Sequence, residues 1–232
     1  MQMTSDQAYS ALIERISPLV EALYPNEDAV ALAHKFAAKT GIDEADCVMP
    51  VSHQSHWNEQ DVMLITYGDS IINDSEKPLK TLKKTLDHFL KESVSMVHIL
   101  PYYPYTSDGG FAVSDYEIIN PDLGDWDDVG EISQSYKIMA DLVVNHCSSE
   151  HAWFKEFMAG NPKYENYFIQ ASLEDDLSEV VRPRTTPLLR PTMTPDGEKY
   201  VWCTFSHDQI DLNFANPEVF LEVMRLISLY ID

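Results

Sequence analysis

Three stretches of this sequence carry residue types suited to holding a hydroxyl-rich ligand or an anion. The first is Pro101-Tyr102-Tyr103-Pro104-Tyr105-Thr106-Ser107-Asp108-Gly109-Gly110-Phe111. Its aromatic rings offer flat apolar surface for a sugar ring, and Asp108 offers oxygens that accept from two hydroxyls. Gly109 and Gly110 let the backbone turn tightly enough to aim them. A surface turn with packed tyrosines is the competing reading, because Asp-Gly is a common turn pair. The second stretch is Asp141-Leu142-Val143-Val144-Asn145-His146, whose polar ends and apolar middle suit a strand delivering its last residues to a ligand. There His146 could donate to a sugar hydroxyl, or could equally be a histidine satisfied within the structure. No carboxylate or histidine stands at ligand spacing around it, so no metal is expected. The third is Arg182-Pro183-Arg184, two guanidinium groups held apart by a stiff proline and suited to clamping a phosphate. The alternative is a solvated loop paired with Glu174, Asp175 or Asp176.

Other chemistries find no support. A Gly-rich phosphate loop, H-E-x-x-H and G-x-S-x-G are all missing from the sequence, and no cofactor is expected. Asp69, Asp115 and Asp141 are candidate paired carboxylates whose pairing spacing alone does not establish; Asp69 reads better as a turn residue or helix cap. The net charge of −22, from 16 basic against 38 acidic side chains, repels nucleic acid and anionic membranes. Any phosphate must therefore meet a local basic patch. Three scattered cysteines, an N-terminus without a signal-peptide layout and no long apolar window lead us to expect a cytoplasmic protein.

The elements that would position these residues follow from periodicity. Thr4 and Gln7 form a capping box ahead of the stripe Leu12, Ile13, Ile16, Leu19 and Leu23, with Pro18 expected to bend or end that helix. A second stripe, Val30, Ala33, Phe36 and Ala37, closes at Gly41. We take residues 1–58 as a helical extension and linker. Val62–Tyr67 then suits a strand buried on both faces, and Pro78 opens a helix with Leu79, Leu82, Leu86, Phe89 and Leu90 on one side. Met96–Leu100 is a second strand, stopped by Pro101. A helix over about Trp126–Tyr136 and a third strand over Ile138–Val144 complete an alternating α/β pattern. Residues of about 159–207 lack regularity and read as a small inserted subdomain. Asn216-Pro217-Glu218 starts a last helix carrying Phe220, Val223, Met224, Ile227 and Ile231.

Taken in order, these segments resemble the sucrose phosphorylase branch of the α-amylase superfamily. The likeness runs through Leu64–Asp69, His98-Ile99-Leu100-Pro101, Asp108–Phe111, Leu123–Val129, Asp141–His146, Arg182–Arg184, Trp202, Phe205 and Gln209–Asn213. It implies that residues 59–232 form the N-terminal part of a (β/α)8 barrel with an inserted subdomain after the third strand. It also implies a retaining double displacement passing glucosyl from sucrose or a related α-glucoside to inorganic phosphate, giving α-glucose 1-phosphate. Asp108 and His146 would hold glucosyl hydroxyls, Phe111 would be an aromatic wall, and Gln209 would line the pocket. Arg182 and Arg184 would admit phosphate, with Arg184 the stronger candidate. The nucleophile and the acid are expected after Asp232, so no catalytic residue is expected in this chain, which should not turn over by itself. The long N-terminal extension resembles relatives acting on sucrose 6′-phosphate or glucosylglycerate. An α-glucoside hydrolase or transglucosidase on the same barrel, and an inactive fragment, are the alternatives.

Overall fold

The computed structural model describes residues 4–48, 57–182 and 184–231. They fall into two compact units, Met1–Ser55 with Asn213–Asp232, and His56–Leu212. In the first unit α1 (Ser5–Leu23) starts at the expected capping box: Gln7 N donates to Thr4 Oγ1 (3.3 Å) and Thr4 N to Gln7 Oε1 (3.1 Å). Pro18 lies inside this helix without ending it. The buried line is Ala8, Ile13 and Val20, whereas Leu19 and Leu23 of the expected stripe are exposed. Helix α2 (Ala29–Lys39) meets that line, and Val20, Tyr24, Leu32, Phe36 and Ala37 pack into one apolar cluster. Val30, expected on this face, is exposed. Gly41, at φ 71, ends α2: Ile42 N reaches Ala37 O (3.0 Å) and Gly41 N reaches Ala38 O (3.2 Å), satisfying two carbonyls the helix leaves open.

The second unit alternates β1 (Met63–Thr66), α3 (Pro78–Thr85), β2 (Met96–Ile99), α4 (Trp126–Ser133) and β3 (Lys137–Ala140). The three strands are parallel in the order β1-β2-β3, with Thr66 opposite Ile99 and Ile99 opposite Ala140. Leu79, Leu82 and Leu86 bury one side of the first helical segment, Val129 and Ile132 one side of α4, and Val97 and Ile99 lie in the core. Three expectations fail here. Met63 and Ile65 are exposed and Leu64 and Thr66 half-buried, so β1 is not buried on both faces. After Thr85 the helix widens into a π turn, Leu86–Leu90, which shifts the register of the face and leaves Phe89 exposed. The third strand is also shorter than Ile138–Val144. Its ladder needs β2, and β2 gives way at Pro101, which has no N–H to donate.

Residues 141–145 run irregularly into β4 (His146–Ser148), which opens a different ladder. Beyond it lie α5 (Ala152–Met158), the hairpin β5 (Leu189–Thr194) and β6 (Gly197–Trp202), and β7 (Gln209–Asp211). β4 and β7 pair antiparallel, His146 opposite Asp211 and Ser148 opposite Gln209, and so close the base of the excursion. The stretch expected to be irregular thus contains a six-pair hairpin turned by Pro195-Asp196, with Gly197, the first residue of β6, at φ 114. The last helix, α6 (Pro217–Ile231), groups with α1 and α2 in the first unit. Leu221 joins the α1–α2 cluster, and Lys39 Nζ meets Glu222 Oε1 at 3.0 Å. Val219, Leu221, Val223 and Leu226 are its buried residues, and Ile231 of the expected face is exposed. Among the described residues no helix is long and apolar enough to cross a membrane.

Candidate functional site

The turn after β2 has unusual backbone geometry. Asp108, Gly109 and Gly110 are all left-handed, with φ of 58, 61 and 107. For Gly110 the requirement is steric as well, since a Cβ there would lie 2.7 Å from Pro101 O. Asp108 has a Cβ and holds this conformation at about 1 kcal/mol, which a surrounding network must offset. Gln209 supplies part of it, its Nε2 donating to Asp108 Oδ2 (3.0 Å) while Oε1 accepts from Ser206 Oγ (3.0 Å).

Gln209 Nε2 also lies 3.1 Å from His146 Nε2, and that nitrogen is 3.0 Å from the Phe111 carbonyl oxygen. A carbonyl only accepts, so the imidazole proton belongs on Nε2, and the Gln209 contact is then close approach rather than a hydrogen bond. His146 Nδ1 is buried without a partner. Burial pushes this imidazole below the usual histidine range, against the opposing pull of the Phe111 carbonyl and of Asp211 and Asp108. Opposite it on β7, burial raises the Asp211 carboxyl, although Thr204 donates to it from both N and Oγ1. Burial thus works against the charged form of both groups.

Asp108, Phe111, Asp141–His146, Arg184 and Phe205 line one cavity of about 260 Å³. The structure therefore brings Asp108, Phe111, His146 and Arg184 together. Gln209, 2 % exposed, stands behind Asp108 and His146 rather than on the cavity surface. The Arg184 guanidinium lies 5.9 Å from the centre of the Phe205 ring. Arg182 does not join it: its Nη1 faces Cys203 O and Thr204 O, each at 3.4 Å. Pro183 is outside the described residues. Tyr102 and Tyr103 are fully buried, so the packed-tyrosine reading holds for them and Phe111 is the loop's aromatic in the cavity. Of the candidate acids, Asp141 accepts from or pairs with His98 Nε2 (2.9 Å), while Asp115 caps its own turn through Glu117 N (2.8 Å). Sequence reasoning passed over Asp208, which receives three hydroxyl groups beside this site. A lone acid in a loop gives no periodic signal.

Comparison with known proteins adds three findings. The family model for the alpha amylase catalytic domain matches residues 73–232. Glucosylglycerate phosphorylase from Allomeiothermus silvanus is 50% identical over 175 residues, 75% of this chain and 32% of that protein. The namesake from Spirochaeta thermophila is 47% identical over 172 residues, 74% of this chain and 29% of that protein. Among solved structures, sucrose 6F-phosphate phosphorylase from Thermoanaerobacter thermosaccharolyticum superposes with a TM-score of 0.68 at 28% identity, over 78% of this chain and 39% of that one. The chain thus spans about a third of the length of the curated relatives it matches.

Proposed function

The chain belongs to the alpha-amylase family, and from that premise we propose that its cavity holds the glucosyl group of an α-glucoside in an enzyme that passes that group to inorganic phosphate. The carrying observation is a single cavity lined by Asp108, His146, Phe111 and Arg184, a set whose chemistry suits a sugar and an anion. Asp108 spends Oδ2 on Gln209 and keeps Oδ1 to accept from a sugar hydroxyl. Phe111 supplies apolar surface. His146 adds polar wall beside them, its Nε2 proton held by the Phe111 carbonyl. In a chain of net charge −22, the Arg184 guanidinium gives phosphate a local counter-charge.

The enzyme would work through the double displacement its family implies: a carboxylate attacks the anomeric carbon while the aglycone oxygen leaves with a proton from an acid, and a phosphate oxygen then displaces that carboxylate to give α-glucose 1-phosphate. The names of the two relatives support glucosylglycerate as the glucoside, with sucrose and sucrose 6′-phosphate as the other donors to compare. Full-length enzyme should release glucose 1-phosphate from one of these only when phosphate is present. Arg184→Ala should raise the phosphate KM about tenfold while hydrolysis changes less. Equal release of free glucose with and without phosphate would identify a hydrolase instead, and equal loss of both activities in the variant would remove Arg184 from the phosphate role.

A further inference from the structure

We propose that Asp208 is a positioning residue of the same cavity: it fixes the turn Thr106–Gly110, and through the turn the carboxylate of Asp108. The inference rests on the reading of Asp108 as a sugar-holding group. Asp208 does not line the cavity. Its Oδ2 accepts from Thr106 Oγ1 and Ser107 Oγ, each at 2.6 Å, and its Oδ1 from Ser149 Oγ at 2.8 Å. One carboxylate therefore ties the residues just before Asp108 to the loop after β4. The next residue, Gln209, takes hold of Asp108 itself at 3.0 Å. The dipeptide Asp208-Gln209 thus grips the turn on both sides of the point where it becomes left-handed.

That grip answers a specific need. Three successive left-handed residues, only two of them glycine, do not stay in place by local preference. The direction of the hydroxyl network is also fixed. The carboxylate of Asp208 is held below the usual range; burial opposes the charge, but Ser107, Thr106 and Ser149 and the charge of Arg190 outweigh it. As a carboxylate it only accepts, so Thr106 must donate to it. The fully buried Ser148, 2.6 Å from Thr106 Oγ1, must then donate to Thr106 while accepting from Glu150 N at 3.0 Å. Donor follows donor from β4 to Asp208, each bond polarising the next. Serine or threonine rotamer freedom in the turn is removed without any group entering the cavity.

A double-mutant cycle in the full-length enzyme separates this role from general support of the fold. Asp208→Ala should lower kcat/KM for the glucosyl donor about 30-fold, and Asp208→Asn, which keeps one acceptor oxygen, less than about tenfold. Adding Asp208→Ala to Asp108→Asn should cost less than about threefold beyond Asp108→Asn alone, because the residue it positions is already disabled. Losses that multiply would overturn the inference and leave the phosphorylase reading standing. If Asp208→Ala does not fold, Ser107→Ala removes one bond of the network and enters the same cycle. An enzyme that hydrolyses rather than phosphorolyses would overturn the reading of the phosphate role, and the cycle would be read on hydrolysis. If no glucoside is consumed, calorimetric binding of glucose carries the cycle, and no detectable binding by the wild type would overturn both.

Discussion

His151 caps α5, its Nδ1 accepting from Trp153 N at 3.1 Å, and burial pushes its imidazole down to about 4 from the ordinary 6.5. The unfolded chain binds a proton here that the folded chain refuses. The associated stability is therefore fully present above about pH 6.5 and is lost as pH falls toward 4, a change on the order of 3 kcal/mol. His146, shifted the same way by burial, adds to the trend. His151→Asn keeps a cap acceptor and deletes the titration, so its thermal midpoint should fall less steeply than wild type between pH 7 and 4.5. Parallel slopes would exclude His151 as the cause. Neither shift was legible in the sequence, which shows the residue type and not its burial. By contrast, Asp108, Phe111, His146 and Arg184 could be picked out as residues before any coordinate, and the structure gathers them into one cavity. The family likeness already favoured Arg184 over Arg182, and the fold turns Arg182 toward the carbonyls of Cys203 and Thr204.

Local signals fixed where several elements begin and end. Thr4 with Gln7, Pro78 and Gly41 stand at helix termini because each satisfies or omits an end group of the backbone. Faces fared worse: the π turn moved Phe89 to the surface, and α1 buries Val20 where Leu19 was expected. A stripe shows that a helix has an apolar side, while the partner it meets decides which edge of the stripe is covered. The turn at Asp108–Gly110 offers a test at this scale. Gly109→Ala adds a Cβ whose nearest neighbour is Tyr67 Oη at 3.5 Å, so it should cost about 1 kcal/mol in a urea melt. Gly110→Ala brings Cβ to 2.7 Å from the Pro101 carbonyl at φ +107 and should cost about 3 kcal/mol while abolishing glucoside binding. Equal costs would show that the Pro101 backbone yields freely.

Charge acts on the molecule as a whole. With a net −22, carboxylates repel one another more than the ion pairs such as Lys39–Glu222 and Lys137–Asp61 relieve. Raising the salt from about 10 to 150 mM should therefore raise the thermal midpoint by about 2–4 °C, since screening contracts to roughly 8 Å. A lower midpoint in salt would mean that the ion pairs dominate. The sequence by itself determined the parallel α/β order, the family and the residue types at the cavity, because strand length, caps and motif spacing are properties of neighbouring residues. Only the tertiary structure decided that β3 stops at Ala140, that α6 packs with α1 and α2, and that Asp208 reaches two loops at once. Those outcomes depend on groups about 40 to 200 positions apart meeting in space, and the loop-closure entropy that must be overcome to join them leaves no periodic trace along the chain.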